Sequence, residues 1–191
     1  SGADLSESDL AGADLRFADL SGANLSNADL SETYLSDADF AGADLSNADL
    51  SEAHLSGADF SGADLSSSNL TGAELQQINL RDANLRSAKL ISVSLLNAEF
   101  SSNTDFFNID VSGSTFPVET LSMFDLTDSG LPGANFHGRS LEDVDLSGIN
   151  LSDADLSYVD FSNIDLSDSN LSVADLSGAI FSDVSLRSAD F

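Results

Sequence analysis

Leucine or phenylalanine recurs at every fifth residue along almost the whole chain. This five-residue repeat runs from Leu5 to Phe100, shifts by one residue, and continues from Phe106 to Phe191. Of its 38 positions, 28 hold Leu, nine hold Phe and one holds Val111. A period of five matches neither the period of an α-helix nor that of a flat strand. Repetition on this scale indicates that one small unit is stacked many times.

Each five-residue unit combines a short strand with a corner. The residue two before the central Leu or Phe is usually Ala, and the residue just before it is mostly Asp, Asn or Glu. Residues two apart share a face of an extended chain, so Ala and the central residue point inward and the acidic residue points outward. The first corner residue is usually Ser and the second is often Gly, Asn or Asp, which favour turns. Three-residue strands cannot stand alone, so the units must stack into a β-solenoid.

The unit reads A-[DN]-[LF]-S-x, as in residues 38–42 and 154–158, and it resembles the repeat of the pentapeptide-repeat proteins across residues 1–191. The resemblance implies an all-β fold, a right-handed parallel β-helix with four pentapeptides per coil. The 38 units would then form about 9.5 coils. At ~4.8 Å per coil, the rod would be roughly 45 Å long. We therefore expect one domain over residues 1–191.

Two irregularities interrupt the pattern. One residue is inserted near residues 101–106, and the repeat is degraded over residues 107–141. Within the degraded stretch, Glu119 and Arg139 occupy inward positions and are expected on the same face of adjacent coils. Burying either charge alone is costly, so we expect an ion pair or an outward bulge, with a functional site as the alternative.

The central phenylalanines also have a pattern. Once the insertion is allowed for, five of them fall on one of the four faces, where aromatic stacking adds to burial. This core column is predicted to contain Phe40, Phe60, Phe100, Phe161 and Phe181.

The chain is strongly acidic, with a formal net charge of −27. Of the 33 acidic residues, 21 directly precede a central residue and so point outward. Such a surface excludes direct nucleic-acid binding and favours cations or basic protein surfaces. No apolar run is long enough for a membrane span, and there is no cysteine. The localisation stays open, with a soluble cytoplasmic or secreted protein expected.

Nothing in the sequence indicates catalysis. His54 and His137 are far apart, and neither a phosphate-binding loop nor a zinc-binding spacing is present. A regular outward ladder gives every Asp similar surroundings, whereas acid–base catalysis needs carboxyl groups with distinct pKa values. We therefore predict that the protein is not an enzyme and has no cofactor and no metal site.

A candidate partner patch lies around the insertion. It combines three of the six Lys and Arg residues with three apolar first-corner residues. Its members are Arg81, Arg86, Lys89, Ile91, Leu96 and Phe107. An interaction patch is one interpretation and local drift of the repeat is the other. Phe17 and Tyr158 are interpreted as single exposed aromatic residues.

The first functional hypothesis is a non-enzymatic, acidic rod that acts as a structural or protein-binding scaffold. The end coils, at Leu5–Leu20 and Phe181–Phe191, carry no distinct polar cap, so they are expected either to self-associate end to end or to adjoin flanking domains. Salt adaptation of the surface is another interpretation of the acidity.

The alternative hypothesis is a DNA mimic. Duplex DNA carries one negative charge per ~1.7 Å, or about 26 charges over the length of the expected rod. The resemblance implies that some members of the family bind DNA gyrase or topoisomerase IV, either inhibiting the enzyme or protecting it from quinolones. On this hypothesis the partner is a type II topoisomerase.

Overall fold

The computed structural model describes residues 1–115, 131, 133–138, 141 and 145–191. In these residues the chain winds into a stack of coils with parallel pairing. Asp4 pairs with Asn24, and Asn24 pairs in turn with Asp44. The spacing of 20 residues corresponds to four units, so each coil has four sides. The chain thus forms a parallel β-helix.

The four faces are numbered by the outward residue of the first coil. Asp4 begins face 1, Asp9 begins face 2, Asp14 begins face 3 and Asp19 begins face 4. Along each face, the outward residues of successive coils form a column parallel to the axis. Each corner joins two faces that are consecutive in the chain.

Among the described residues there is no helix, and each strand is reduced to a single bridged residue. The Leu25 N–H donates to the Asp44 carbonyl at 2.7 Å, and the Asp44 N–H donates to the Ala23 carbonyl at 2.9 Å. The corner then begins at once and takes the chain out of the ladder. The strands are therefore shorter than the three residues expected from the sequence.

The corners are hydrogen-bonded turns. The Ala13 N–H donates to the Leu10 carbonyl at 3.0 Å, which closes a turn of four residues. The second corner residue has positive φ, as a type II turn requires: φ is 65° at Gly12 and 58° at Asp37. At Gly72 a Cβ atom would collide with the Glu52 carboxylate of the preceding coil. That carboxylate ends an exposed, flexible side chain and can move away, so glycine is favoured there mainly by the positive φ of 69°.

The interior contains the central residues and the small residues beside them, which confirms the inward assignment. Buried members extend from Leu20 to Leu171. Phe40 and Phe60 are fully buried, and their rings stack with centroids 4.5 Å apart. In the last coil, Phe181 stacks on Phe161 at 5.1 Å but is 39% exposed, because no further coil covers it in the structure.

The few polar side chains of the interior are hydrogen-bonded. The Ser68 hydroxyl donates to the Leu65 carbonyl at 2.7 Å, and the Thr104 hydroxyl donates to the Leu80 carbonyl at 2.9 Å. No buried side-chain nitrogen or oxygen of the described residues lacks a partner. Glu119 and Arg139, the two charged residues expected at inward positions, lie outside the described residues.

The extra residue of the insertion is Ser101. Pairing changes from a spacing of 20 residues at Asn79–Glu99 to 21 residues at Asn84–Asp105. The Ser101 hydroxyl accepts the Asp82 N–H at 2.9 Å, a bond that a backbone carbonyl accepts in other coils. The coil therefore continues across the bulge. Of the degraded stretch, residues 107–115, 131, 133–138 and 141 are described.

Candidate interaction surface

The outward aspartates have a structural role at the corners. In a typical unit, Asp44 Oδ1 accepts the Ser46 N–H at 2.9 Å. In the first coil, Asp4 Oδ1 also accepts the Ser6 hydroxyl at 2.7 Å. An aspartate side chain commonly accepts a hydrogen bond from the backbone N–H two residues later, which stabilises a turn. This bond explains why an Asp so often stands just before the central residue.

Asparagine accepts the same corner hydrogen bond without adding a charge. Asn24 Oδ1 accepts the Ser26 N–H at 3.1 Å, and Asn84 Oδ1 accepts the Arg86 N–H at 3.1 Å. The corner therefore needs an acceptor and does not need an anion. The choice of Asp over Asn adds negative charge that folding does not require.

The corner bonds also favour the ionised form of several carboxyl groups. Hydrogen bonds from a serine hydroxyl and backbone N–H hold the pKa of six outward aspartates below its usual value: Asp4, Asp19, Asp29, Asp160, Asp165 and Asp175. At Asp14 the hydrogen-bonded Arg16 guanidinium, at 2.9 and 2.7 Å, lowers the pKa to about 2. These groups therefore stay charged at neutral and mildly acidic pH.

The acidic residues are unevenly distributed along the rod. Residues 1–65 contain 14 carboxylates and Arg16 as their single cation. Residues 66–115 contain five carboxylates and three cations. In the first three coils, two columns consist of Asp alone: Asp9, Asp29 and Asp49 on face 2, and Asp19, Asp39 and Asp59 on face 4. Residues 145–191 contain nine carboxylates and Arg187 as their single cation. Negative charge is thus dense towards both ends of the described rod and weakest in residues 66–115, and among the described residues only the first three coils have columns of three successive Asp.

Two members of the candidate partner patch are in contact. The Arg86 guanidinium lies 4.4 Å from the centroid of the Phe107 ring and 3.0 Å from Asp105. Arg81 is paired with Glu99 at 3.1 Å. Both arginines are therefore neutralised by a carboxylate of the next coil.

The other members are distributed around the rod. Lys89 lies on face 2, half-buried Ile91 on the corner after it, and exposed Leu96 on the corner between faces 3 and 4. Arg81 lies on the corner between faces 4 and 1. The six residues are thus spread around the rod: Arg86, Lys89, Ile91 and Phe107 lie on or beside face 2, whereas Arg81 and Leu96 lie at other corners. Partner binding at this patch stays a prediction.

Face 3 carries aromatic residues that the sequence interpretation did not connect. The rings of Tyr34 and His54, on successive coils, stack with centroids 4.7 Å apart and planes 10° apart. His54 Nδ1 lies 2.9 Å from Glu74. Phe17 and Tyr158, which were interpreted as single exposed residues, both lie on the corner between faces 3 and 4. The 20-residue period could have shown this.

The described residues offer no catalytic arrangement. His137 Nδ1 lies 2.6 Å from the Ser157 hydroxyl, which in turn donates to Asp155. The serine is 6% exposed and is held from both sides, so it is not free to act as a nucleophile. In the same part of the chain, no three His, Asp or Glu side chains come together to hold a metal ion.

No helix among the described residues has the length and apolar character needed to span a membrane. The end coils are the least covered, with Leu186 39% and Phe191 58% exposed. End-to-end self-association stays a prediction.

The comparisons with known proteins agree with the repeat pattern. The family model described as Pentapeptide repeats matches in eight copies, at residues 1–37, 33–72, 68–106, 131–168 and 154–191. No curated protein matches significantly.

Several solved structures are similar in sequence. The pentapeptide repeat protein Rfr23 from the cyanobacterium Cyanothece 51142 is 42% identical over 48% of this chain and 63% of its own, with a TM-score of 0.48. The match thus spans less than two thirds of Rfr23. HetL from Nostoc sp. Strain PCC 7120, involved in heterocyst differentiation regulation, is 34% identical over 98% of this chain and 89% of its own, with a TM-score of 0.35.

A more distant match is QnrB1, a plasmid-mediated fluoroquinolone resistance protein. It is 22% identical over 94% of this chain and 89% of its own, with a TM-score of 0.45. The family model, which matches well over half of the residues, decides the assignment: the chain belongs to the pentapeptide-repeat proteins.

Proposed function

We propose that this protein is a non-enzymatic, acidic rod that binds a basic protein surface and acts as a scaffold for it. The proposal also includes two features of the rod itself, a right-handed winding of the chain and a total of about 9.5 coils. The observation that carries it is the equivalence of Asp and Asn at the corners, because the fold is satisfied by either residue. Charge that folding does not need is available for a partner.

The placement of the charge supports the same function. Stacked carboxylates repel one another, by about 1 kcal/mol at 4 Å in water before screening. In the Asp-only columns of faces 2 and 4, this repulsion acts between the carboxylates of three successive coils. A basic partner would relieve it, and electrostatic attraction would raise the rate of association.

A variant with Asn for Asp tests the proposal without removing the corner acceptors. It replaces Asp9, Asp19, Asp29, Asp39, Asp49 and Asp59. Binding to hen lysozyme, a basic protein used as a probe, would be measured by calorimetry at low salt. We expect the wild type to bind and the variant to bind at least about tenfold more weakly, while its melting temperature is equal or higher.

Two results would overturn the proposal. Equal binding by the two proteins would show that the columns do not attract the probe. Loss of the fold in the variant would show that the charges serve folding after all.

DNA mimicry of a type II topoisomerase partner is the second candidate. It is favoured by the net charge of −27, which is close to the charge of duplex DNA of similar length. The acids lie on all four faces, whereas the phosphates of DNA follow two strands, and this difference favours the general scaffold. A DNA gyrase supercoiling assay decides: absence of both inhibition and quinolone protection at micromolar protein would exclude the second candidate.

A further inference from the structure

Tyr34 and His54 interrupt the corner chemistry at two successive positions of one column. The outward residue of most units accepts the N–H of the first corner residue, as Asp44 does for Ser46. Among the hydrogen bonds of the described residues, none joins the N–H of Ser36 or Ser56 to the side chain of Tyr34 or His54. Folding of the corner therefore does not explain why these two rings are present.

Phe17 is the third such residue. It is a second corner residue with φ of 62°, and its side chain is 74% exposed. A bulky residue with positive φ is unfavourable, and in most other coils Gly or a polar residue fills this position, with Tyr158 and Val173 as the other bulky examples. Its ring gains little burial in return. Local stability would favour Gly here, as at Gly57 on the same corner.

These three residues lie on one side of the first three coils. Tyr34 and His54 stack on face 3, and Phe17 lies on the corner that leads from face 3 to face 4. We define Phe17, Tyr34 and His54 as the aromatic seam. Each of its members departs from the residue that the fold favours.

The seam runs between the two Asp-only columns. Face 2 precedes it with Asp9, Asp29 and Asp49, and face 4 follows it with Asp19, Asp39 and Asp59. Aromatic residues are enriched among the residues that carry most of the energy of protein interfaces, usually at the centre of a polar rim. On the four-sided coil, faces 2 and 4 adjoin face 3 on its two sides, so a partner that reaches around face 3 would meet an aromatic strip and, beyond each corner, a row of carboxylates.

We propose that the aromatic seam is the anchor of the partner site, and that the partner is a basic protein with an apolar ridge between two rows of Lys or Arg. This inference rests on the proposed function and names the face that performs it. Charge complementarity selects the occupant. Nucleic acid and a second copy of this chain, both polyanions, would be repelled by the columns.

Two synthetic helical peptides of about 20 residues serve as probes. Both have two rows of Lys on one side. The first peptide has Leu between the rows, and the second has Ser in place of every Leu, so their charges are equal. Binding of labelled peptide would be followed by fluorescence anisotropy at low salt.

The seam variant combines Phe17→Ser, Tyr34→Asn and His54→Asn. These substitutions use residues that the repeat already has at equivalent positions, such as Ser67 and Asn24. The control variant, Tyr158→Asn with Val173→Ser, removes two exposed side chains that lie outside both the seam and the candidate partner patch. Circular dichroism would check that both variants keep the fold.

We expect the wild type and the control variant to bind the Leu peptide about tenfold more tightly than the Ser peptide. In the seam variant this ratio should fall to about twofold or less, while binding of the Ser peptide is unchanged. An unchanged ratio in the seam variant, or equal binding of the two peptides by the wild type, would overturn the inference alone. Absence of binding of either peptide by the wild type would overturn the proposed function as well.

Two further measurements test the other occupants. Seam-dependent retardation of short duplex DNA would assign the seam to nucleic acid. A dimer detected by sedimentation in the wild type and absent in the seam variant would assign it to a second copy. Either result would overturn the inference.

Discussion

The Asn79 side-chain amide donates to Asp59 Oδ1 of the preceding coil at 3.0 Å. The same bond joins Asn69 to Asp49 at 3.1 Å. An Asn in an outward column thus replaces a repulsive carboxylate pair with a hydrogen bond, and it keeps its own corner bond as well. The content of Asn and Asp in each column therefore affects both stability and charge.

Asp39→Asn is expected to raise the melting temperature. Asp39 lies between Asp19 and Asp59, and its Oδ1 accepts the Ala41 N–H at 2.9 Å. Asn would keep that acceptor, remove two repulsive contacts and offer an amide to a neighbouring carboxylate. Asp39→Ala removes the acceptor and should lower the melting temperature by about 1–2 °C. If thermal unfolding gave the opposite order, the acceptor role of the outward residue would be wrong.

Added salt is expected to stabilise the wild type. Screening weakens repulsion between exposed charges, since the Debye length falls from about 10 Å at 0.1 M to about 3 Å at 1 M salt. The melting temperature should therefore rise with sodium chloride. The variant with Asn in both Asp-only columns should respond less, and an equal response of the two proteins would contradict this explanation.

The Asp14–Arg16 pair predicts a specific pH dependence. Arg16 lowers the pKa of Asp14 from 3.8 to about 2, so the contribution of the pair is complete above pH 3.8 and is lost as the pH falls towards 2. The melting temperature of the wild type should therefore exceed that of Asp14→Asn at neutral pH, and the difference should vanish near pH 2. A difference that is constant over this range, measured by circular dichroism, would exclude the linkage.

Leu80→Asp is expected to unfold the coils around it. Leu80 is fully buried, and an unpaired carboxylate in its place costs several kcal/mol. The matched control is Asn79→Asp, which adds the same charge at the neighbouring outward position. The control loses the bond to Asp59 and adds repulsion from that carboxylate, so it should lower the melting temperature by only a few degrees. A native melting temperature for Leu80→Asp would contradict the inward assignment.

The five-residue period predicted the β-helix and its interior, because burial alone decides which residues alternate inward. The corner bond at Asp44 was not predicted, since a hydrophobic pattern contains no information about a bond from a side chain to the backbone two residues on. The pairing of Arg86 with Phe107 was also missed, because it depends on the conformations of two long side chains.

The aromatic seam was missed for a different reason. Tyr34 and His54 occupy the same outward position of one column, but Phe17 is a corner residue, so no single column of the sequence contains all three. Only the winding of the coil brings a corner residue next to the face that precedes it. The partner patch around Arg81 shows the converse, since residues close in sequence point in different directions around the rod.

The interchangeable acceptors at the corners have an evolutionary consequence. Codons for Asp and Asn differ in a single base, so point mutation can move a lineage of such proteins between weakly and strongly anionic forms without passing through a misfolded intermediate. Selection on electrostatics can then act on this architecture independently of selection on folding.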